Sequence, residues 1–310
     1  MTAMRQLLQN IVDYAGLFPP AGLSLPAVVE NYRAYTTHEN SWMLSRLIVP
    51  ATKLETLEQV YGETIQDRGN AEKWLISALI PPVDAAESAF SKALDAIQQF
   101  NQTSDFASVD TIEGKLPRAE LIQPTCEQLP DSLFAFLEIP HQDPNHSIAQ
   151  LAARGRERTF AKIRTGGVTA NLIPDAERVA NFIVQCAASD LGFKATAGLH
   201  HPLPAEFALT YEPDSPRAVM HGFINVFLAA CFAKQKNWSL EPITALLECR
   251  DPSEFVFNDH QIKFRDNTLA MPEVTKVRQE FAISFGSCSF VEPIDDLANL
   301  DWLAAAAKTV

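Results

Sequence analysis

Short strand-like runs alternate with helical patterns along nearly the whole chain, and that alternation is the signature of parallel β–α–β units. The runs are Val12 to Phe18, Leu44 to Pro50, Trp74 to Ile80, Val109 to Gly114, Leu133 to Ile139, Phe160 to Arg164, Leu191 to Thr196 and Phe281 to Phe285. Helical patterns separate them at residues 54–61, at 85–97 behind Asp84 as a cap, at 146–153, and at 174–188 with Pro174 in the first turn. A last one, at 294–303, follows the final strand. Eight parallel strands are enough to close a barrel. The expected fold is therefore α/β, a (β/α)8 barrel of the TIM type, with residues 1–310 forming a single domain.

The chain has 310 residues, against ~250 for a typical barrel of this kind. The excess falls at residues 202–280, read as a helical and hairpin insertion between strands seven and eight. It holds an apolar helix at 221–233, a second at 240–249, and a hairpin in which 255–257 and 262–264 flank Asn258-Asp259. Pro19-Pro20, Pro50, Pro81-Pro82 and Pro140 follow strand runs and read as rigid turns at one rim. The tail at 304–310 reads as frayed.

The net charge is −13 and no Lys/Arg run interrupts it, which excludes a nucleic-acid-binding face. The longest apolar stretch, Phe223 to Ala233, is too short for the ~20 residues that span a bilayer, so no membrane partner is expected. The five cysteines are widely spaced with no CxxC pair, which reads as reduced thiols in a cytoplasmic protein. Partners are then a small anionic molecule and, at most, further copies of the same chain.

The segment FAKIRTGG, Phe160 to Gly167, carries the clearest chemical signal. Strand side chains alternate, so Phe160, Lys162 and Arg164 share one face while Ala161 and Ile163 share the other. In a barrel the aliphatic pair faces the helices and the cations face the interior near the C-terminal mouth, where barrel active sites lie. Burial disfavours charge on neighbouring cations; a lysine can respond by releasing its proton, and a neutral amine attacks carbonyl carbon. In LGFKATAGLHHP, Lys194 and Thr196 share a face in the same way. The two lysines are 194 − 162 = 32 residues apart, one strand–helix–strand repeat, so they sit at equal depth on neighbouring strands. Taken singly, each lysine is an ordinary strand-end cation; taken together they point to a site.

KIRTGGVTANLIPDAERVANFIVQC followed by FKATAGL resembles the deoxyribose-phosphate aldolases, of the class I aldolase superfamily, and FGSCSF at 285–290 is similar to their closing phosphate loop. The likeness covers 160–198 and 285–290, a minority of the chain. It implies that Lys162 forms a Schiff base, that Lys194 beside it helps move protons, and that an acid on the fourth strand assists. Asp110 is the first match for that acid and Glu113 the fallback. Asp13 falls where the family has another acid near the first strand, although a cap or turn residue is an equal reading. Thr165, Gly166, Gly167, Thr196, Gly198, Gly286 and Ser287 would surround an anionic group of the substrate. No cofactor and no metal is implied.

The chain departs from the family at Arg164, where a small polar residue is usual, and at Ala197, where a glycine is usual. A guanidinium at 164 would grip a carboxylate or phosphate, which suggests a different substrate. His200 and His201 have three readings: loop residues at the mouth, substrate-side acid/base groups, or metal ligands with Glu138 and His221. Glu138 has a simpler role as countercharge to Lys162 or Arg164. Cys288 follows the last strand; a catalytic thiol needs a base, none is assignable from sequence, and it reads as a buried structural thiol. The expected activity is an aldolase-like lyase acting on a small anionic carbonyl compound. The alternatives are a metal-dependent barrel hydrolase or lyase built on His200 and His201, and a non-catalytic anion-binding barrel.

Overall fold

A computed structural model describes residues 2–65, 72–84, 87–139, 144–154 and 157–303. The turn expected at Pro140, the first turn of the helix expected after Asp84, and the 304–310 tail lie outside them. The described residues form thirteen strands: β1 Val12–Tyr14, β2 Leu44–Pro50, β3 Trp74–Leu79, β4 Ala107–Lys115, β5 Phe134–Glu138, β6 Thr159–Arg164, β7 Phe193–Thr196, β8 Ala205–Ala208, β9 Arg217–Met220, β10 Phe255–Phe257, β11 Gln261–Phe264, β12 Asn267–Ala270 and β13 Ala282–Ser287. The helices are α1 Ala3–Leu8, α2 Leu25–Thr36, α3 Leu54–Thr64, α4 Glu87–Thr103, α5 Ile122–Gln128, α6 Pro144–Arg154, α7 Ala176–Ala188, α8 Phe223–Lys236, α9 Leu240–Leu247, α10 Met271–Glu280 and α11 Val291–Asn299.

Eight strands, β1 to β7 and β13, close into one barrel in which every pairing is parallel. This is the (β/α)8 barrel. The walls follow the alternation: Ala161 and Ile163 are buried on the helix side of β6, and Phe193 stacks edge-on against Phe182 of α7. Among the described residues no helix is long and apolar enough to cross a membrane.

Local chemistry sets several boundaries differently from the sequence reading. β1 is only three residues long, because the chain turns at Ala15, where Phe18 N donates to Ala15 O. Asp175, not Pro174, begins α7: its carboxylate accepts from Arg178 N at 2.8 Å, which satisfies a helix-start amide. Asp84 accepts from Arg118 at 3.0 Å.

The stretch between β7 and β13 is composite. α8 is buried from Phe223 to Ala233 and packs on α7, α10 and β13, as wall helices do. The β8–β9 pair and the three-stranded sheet β10-β11-β12 join no barrel strand. β10 and β11 pair antiparallel with Val256 opposite Lys263. The sequence reading has no counterpart for β8, β9 or β12, which are four-residue strands with too few alternations to register.

At the N-terminal end of the barrel, Arg278 of α10 binds backbone carbonyls from several segments. Its guanidinium donates to Leu7 O and Ile283 O at 2.7 Å, to Gln9 O at 3.1 Å, and to Ala282 O. Burial pulls it down to about 10. With four carbonyls as partners it ties α1 to β13 and serves as structure.

Candidate active site

β6 and β7 run in register so that Lys162 is the direct partner of Lys194 and Arg164 of Thr196, while Glu138 of β5 is the partner of Lys162. Three neighbouring strands thus present charged side chains at two adjacent levels near their C-terminal ends. Lys194 is 0 % exposed and Lys162 is 6 % exposed. Their ammonium groups converge on one buried carboxylate. Lys162 Nζ donates to Glu113 Oε2 at 3.0 Å, and Lys194 Nζ donates to Glu113 Oε1 at 2.5 Å. Lys194 Nζ also donates to Asp13 Oδ2 at 2.5 Å.

The carboxylates are held in turn. Ser77 Oγ donates to Glu113 Oε1 at 2.7 Å. Ser284 Oγ donates to Asp13 Oδ2 at 2.6 Å, and Arg46 N donates to Asp13 Oδ1 at 2.9 Å. Glu138 lies 3.6 Å from Lys162 Nζ and 3.5 Å from Arg164 Nε. Below the cluster, Lys194 Nζ sits 5.7 Å from the centre of the Phe136 ring, which stacks on Phe160. Three cations therefore face three carboxylates on an aromatic floor, and both oxygens of Glu113 and both oxygens of Asp13 are engaged. Charges buried this deeply persist only when paired and hydrogen-bonded.

Burial opposes ionisation of Glu113, but Lys194 and Lys162, with Ser77 adding a hydrogen bond, outweigh it and hold the acid well below its ordinary range. Burial likewise opposes the charge on Lys194, yet Asp13 and Glu113 raise it above the usual lysine value. The lowered acid contributes stability above its unfolded value of 4.5 and loses it as the pH falls. The raised base contributes below 10.5 and loses it as the pH rises. The difference in unfolding free energy between wild type and Glu113→Gln is therefore expected to stay level from about pH 6 to about pH 9 and to shrink as acid unfolding proceeds below about pH 4. Denaturant titrations across that range measure it; a difference that persists undiminished into acid would mean that Glu113 is not held ionised.

Lys162 and Arg164 are among the residues lining a cavity of about 710 Å³ whose other walls include Ile163 of β6, Asn171 and Pro174 ahead of α7, and Arg178 and Phe182 on it. A second cavity, of about 680 Å³, lies at the opposite end beside Arg46, Trp74 and Arg278. Its cations are spent within the protein: Arg46 on Asp110, Arg278 on backbone carbonyls, and Lys73 on Ser104 O. Barrel chemistry sits at the C-terminal ends of the strands, and of these two cavities the one beside Lys162 is nearer that end.

The structure brings together Lys162, Lys194, Glu113, Asp13, Glu138 and Arg164. It does not bring in Asp110, the first choice for the fourth-strand acid. Arg46 clamps Asp110 with two hydrogen bonds of 2.7 Å. The ladder between β3 and β4 shifts there: Ile76 faces Val109 but Ser77 faces Thr111, so Asp110 is the extra residue. Asp13 is neither a cap nor a turn residue; it lies on β1 and anchors Lys194.

The strand-end residues divide. Gly166 and Gly198 pack backbone to backbone, and a Cβ on Gly166 would come within 2.7 Å of Gly198 Cα. Only glycines allow that approach. Ala197 has a φ of 61°, in the left-handed region, at the position where the aldolases carry glycine. Thr165 donates to Ala197 O at 2.6 Å and Ser287 Oγ accepts from Ser289 N at 3.3 Å, so both hydroxyls shape loops. Gly167 packs against Leu172, and Gly286 and Thr196 adjoin across the β7–β13 pair. His200 Nδ1 pairs with Glu292 Oε2 at 2.8 Å, His201 Nδ1 with Asp296 Oδ2 at 2.6 Å, and His221 Nε2 with Pro174 O at 2.7 Å. With Glu138 turned to the lysines, the set His200, His201, His221 and Glu138 is not gathered, and the described residues contain no cluster of three or more such groups around one point. Ser77, Ser284 and Arg46 were invisible to sequence reasoning, since lone serines and arginines on strands carry no pattern.

No family model matches the chain, and no curated protein matches it. What is established is the class: a closed (β/α)8 barrel whose strands carry a buried cluster of lysines and carboxylates.

Proposed function

We propose that the protein is an aldolase-like lyase in which Lys162 forms a Schiff base with a small anionic carbonyl compound. The observation that carries this reading is the shared carboxylate: Glu113 holds one lysine with each oxygen. Lys162 is among the residues lining the cavity and Lys194 is sealed from solvent, which supports separate roles for the two amines. Lys162, after losing a proton, attacks the carbonyl carbon. The C–N bond forms as the π pair moves to oxygen, and the oxygen is protonated and leaves as water. The resulting iminium carries the same charge as the ammonium it replaces, so Glu113 and Glu138 remain its countercharge. It then accepts the electron pair of the adjacent carbon–carbon or carbon–hydrogen bond, and the enamine so formed is reprotonated. Lys194 and Glu113, joined by a hydrogen bond beside that nitrogen, are the groups placed to relay protons.

Arg164 supports the anionic character of the substrate. It is 37 % exposed by side chain, lies 3.5 Å from Glu138, and lines the same cavity as Lys162. A planar guanidinium at the mouth suits a carboxylate or phosphate. The test is exchange of α-hydrogens in D2O with a panel of small aldehydes and ketones, each supplied with and without a carboxylate or phosphate. Exchange is expected for anionic members of the panel, and Arg164→Ala is expected to raise their KM roughly ten- to a hundredfold with little change in kcat. Exchange that favours the neutral analogues, or that Arg164→Ala leaves untouched, would remove the anionic substrate from the proposal.

A further inference from the structure

Cys288 lies just after β13 at the mouth, and the sequence offers it no base. The fold supplies one from another strand. His200, in the loop after β7, places Nε2 at 3.8 Å from Cys288 Sγ, within hydrogen-bonding reach for sulfur. The other ring nitrogen, Nδ1, pairs with Glu292 Oε2 at 2.8 Å. Tyr211 OH donates to the same Glu292 oxygen at 3.0 Å and lies 3.8 Å from the sulfur. Nucleophile, base and orienting carboxylate thus form a chain from two segments, His200 after β7 and Cys288 with Glu292 after β13, the arrangement that activates a weak nucleophile. Glu292 stands in the first turn of α11, where the helix start favours its negative charge. Burial works against a charged His200, but its contacts to Cys288 and Glu292 prevail and hold it up to about 9.

A cavity of about 40 Å³ is lined by His200, Tyr211 and Glu292 together with Gly167 and Gly198, and it reaches Cys288 through His200 and Tyr211, which lie between the space and the sulfur. That is space for a guest of only a few water-sized atoms. An acyl group with its leaving group does not fit such a volume, whereas hydrogen peroxide does. Cys288 is itself buried, at 6 % exposed, so what distinguishes it is its neighbours; burial pushes Cys186 up and Cys231 up to about 12.

We propose that Cys288, with His200 as its base and Glu292 orienting the imidazole, is a peroxide-reactive thiol that is oxidised to a sulfenic acid. Sulfur attacks one peroxide oxygen, the S–O bond forms and the O–O bond breaks. The departing hydroxide takes up the proton that His200 received from the thiol and leaves as water. Sulfur is oxidised by two electrons and the peroxide is reduced by two. This centre is independent of the lysine chemistry.

The test treats the full-length protein with hydrogen peroxide and stops the reaction with catalase. The chain is then unfolded in denaturant containing dimedone, and the adducts are mapped by mass spectrometry. Cys288 is expected to carry about tenfold or more adduct relative to Cys126, Cys186, Cys231 and Cys249. His200→Gln and Glu292→Gln should reduce it to the level of those four. In wild type alone, cumene hydroperoxide, too large for the cavity, should react much more slowly at Cys288 than hydrogen peroxide. Equal labelling of all five cysteines, an undiminished Cys288 adduct in folded His200→Gln, or equal rates with the two peroxides would each overturn the proposal.

Discussion

The Lys162→Ala variant is expected to fold and to exchange no α-hydrogens above the uncatalysed background. Of the two lysines of the cluster, Lys162 lines the cavity of about 710 Å³, whereas Lys194 is enclosed by Asp13 and Glu113. Loss of a covalent nucleophile leaves only what binding and orientation supply, so a fall of about three orders of magnitude or more is anticipated. Glu113 keeps Lys194 and Ser77 as partners in the variant, and Glu138 keeps Arg164, so no carboxylate is stranded without a donor. Far-ultraviolet circular dichroism and an unfolding midpoint separate loss of chemistry from loss of structure. Residual exchange at a tenth of the wild-type rate would mean that another group is the nucleophile.

Glu113→Gln should act on both stability and rate. The amide matches the carboxylate in shape but removes the charge that holds two buried ammonium groups together. Breaking one side of a buried ion pair costs about 3–5 kcal/mol, and Asp13 remains to offset part of this at Lys194. Removal of a proton-transfer group typically lowers rates by about 10²- to 10⁴-fold. Denaturant unfolding and exchange kinetics on the same preparation measure the two effects. A variant as stable as wild type would show that the ionic cluster is not a structural element, and one with undiminished exchange would leave Lys194 as the sole relay.

Much of this arrangement could be read in the sequence, and the exceptions have physical causes. The period-2 pattern in FAKIR and the 32-residue interval from Lys162 to Lys194 (194 − 162) set two side chains on one face of neighbouring parallel strands, and the register pairs them directly. Glu138 was legible in the same way, one strand over. The fourth-strand acid was legible only as a choice between Asp110 and Glu113, and Glu113, the second of them, is the one that meets the lysines. A shift in the β3–β4 ladder at Asp110 breaks strict alternation, and nothing in the letters VDTIEG marks it. The serines that hold Asp13 and Glu113, and the guanidinium that occupies Asp110, come from β13, β3 and β2, so only the closed barrel brings them together. His200 and Cys288 are 88 residues apart and meet for the same reason, because β7 and β13 are neighbours. Where chain separation is large and the residue type is common, contact is a property of the topology.

Borohydride reduction in the presence of small anionic aldehydes and ketones, followed by peptide mapping of the modified lysine, tests the nucleophile directly. A stable secondary amine on Lys162, with Lys194 unmodified, is the predicted result. An adduct on Lys194, or adducts scattered over surface lysines with Lys162 untouched, would contradict the assignment.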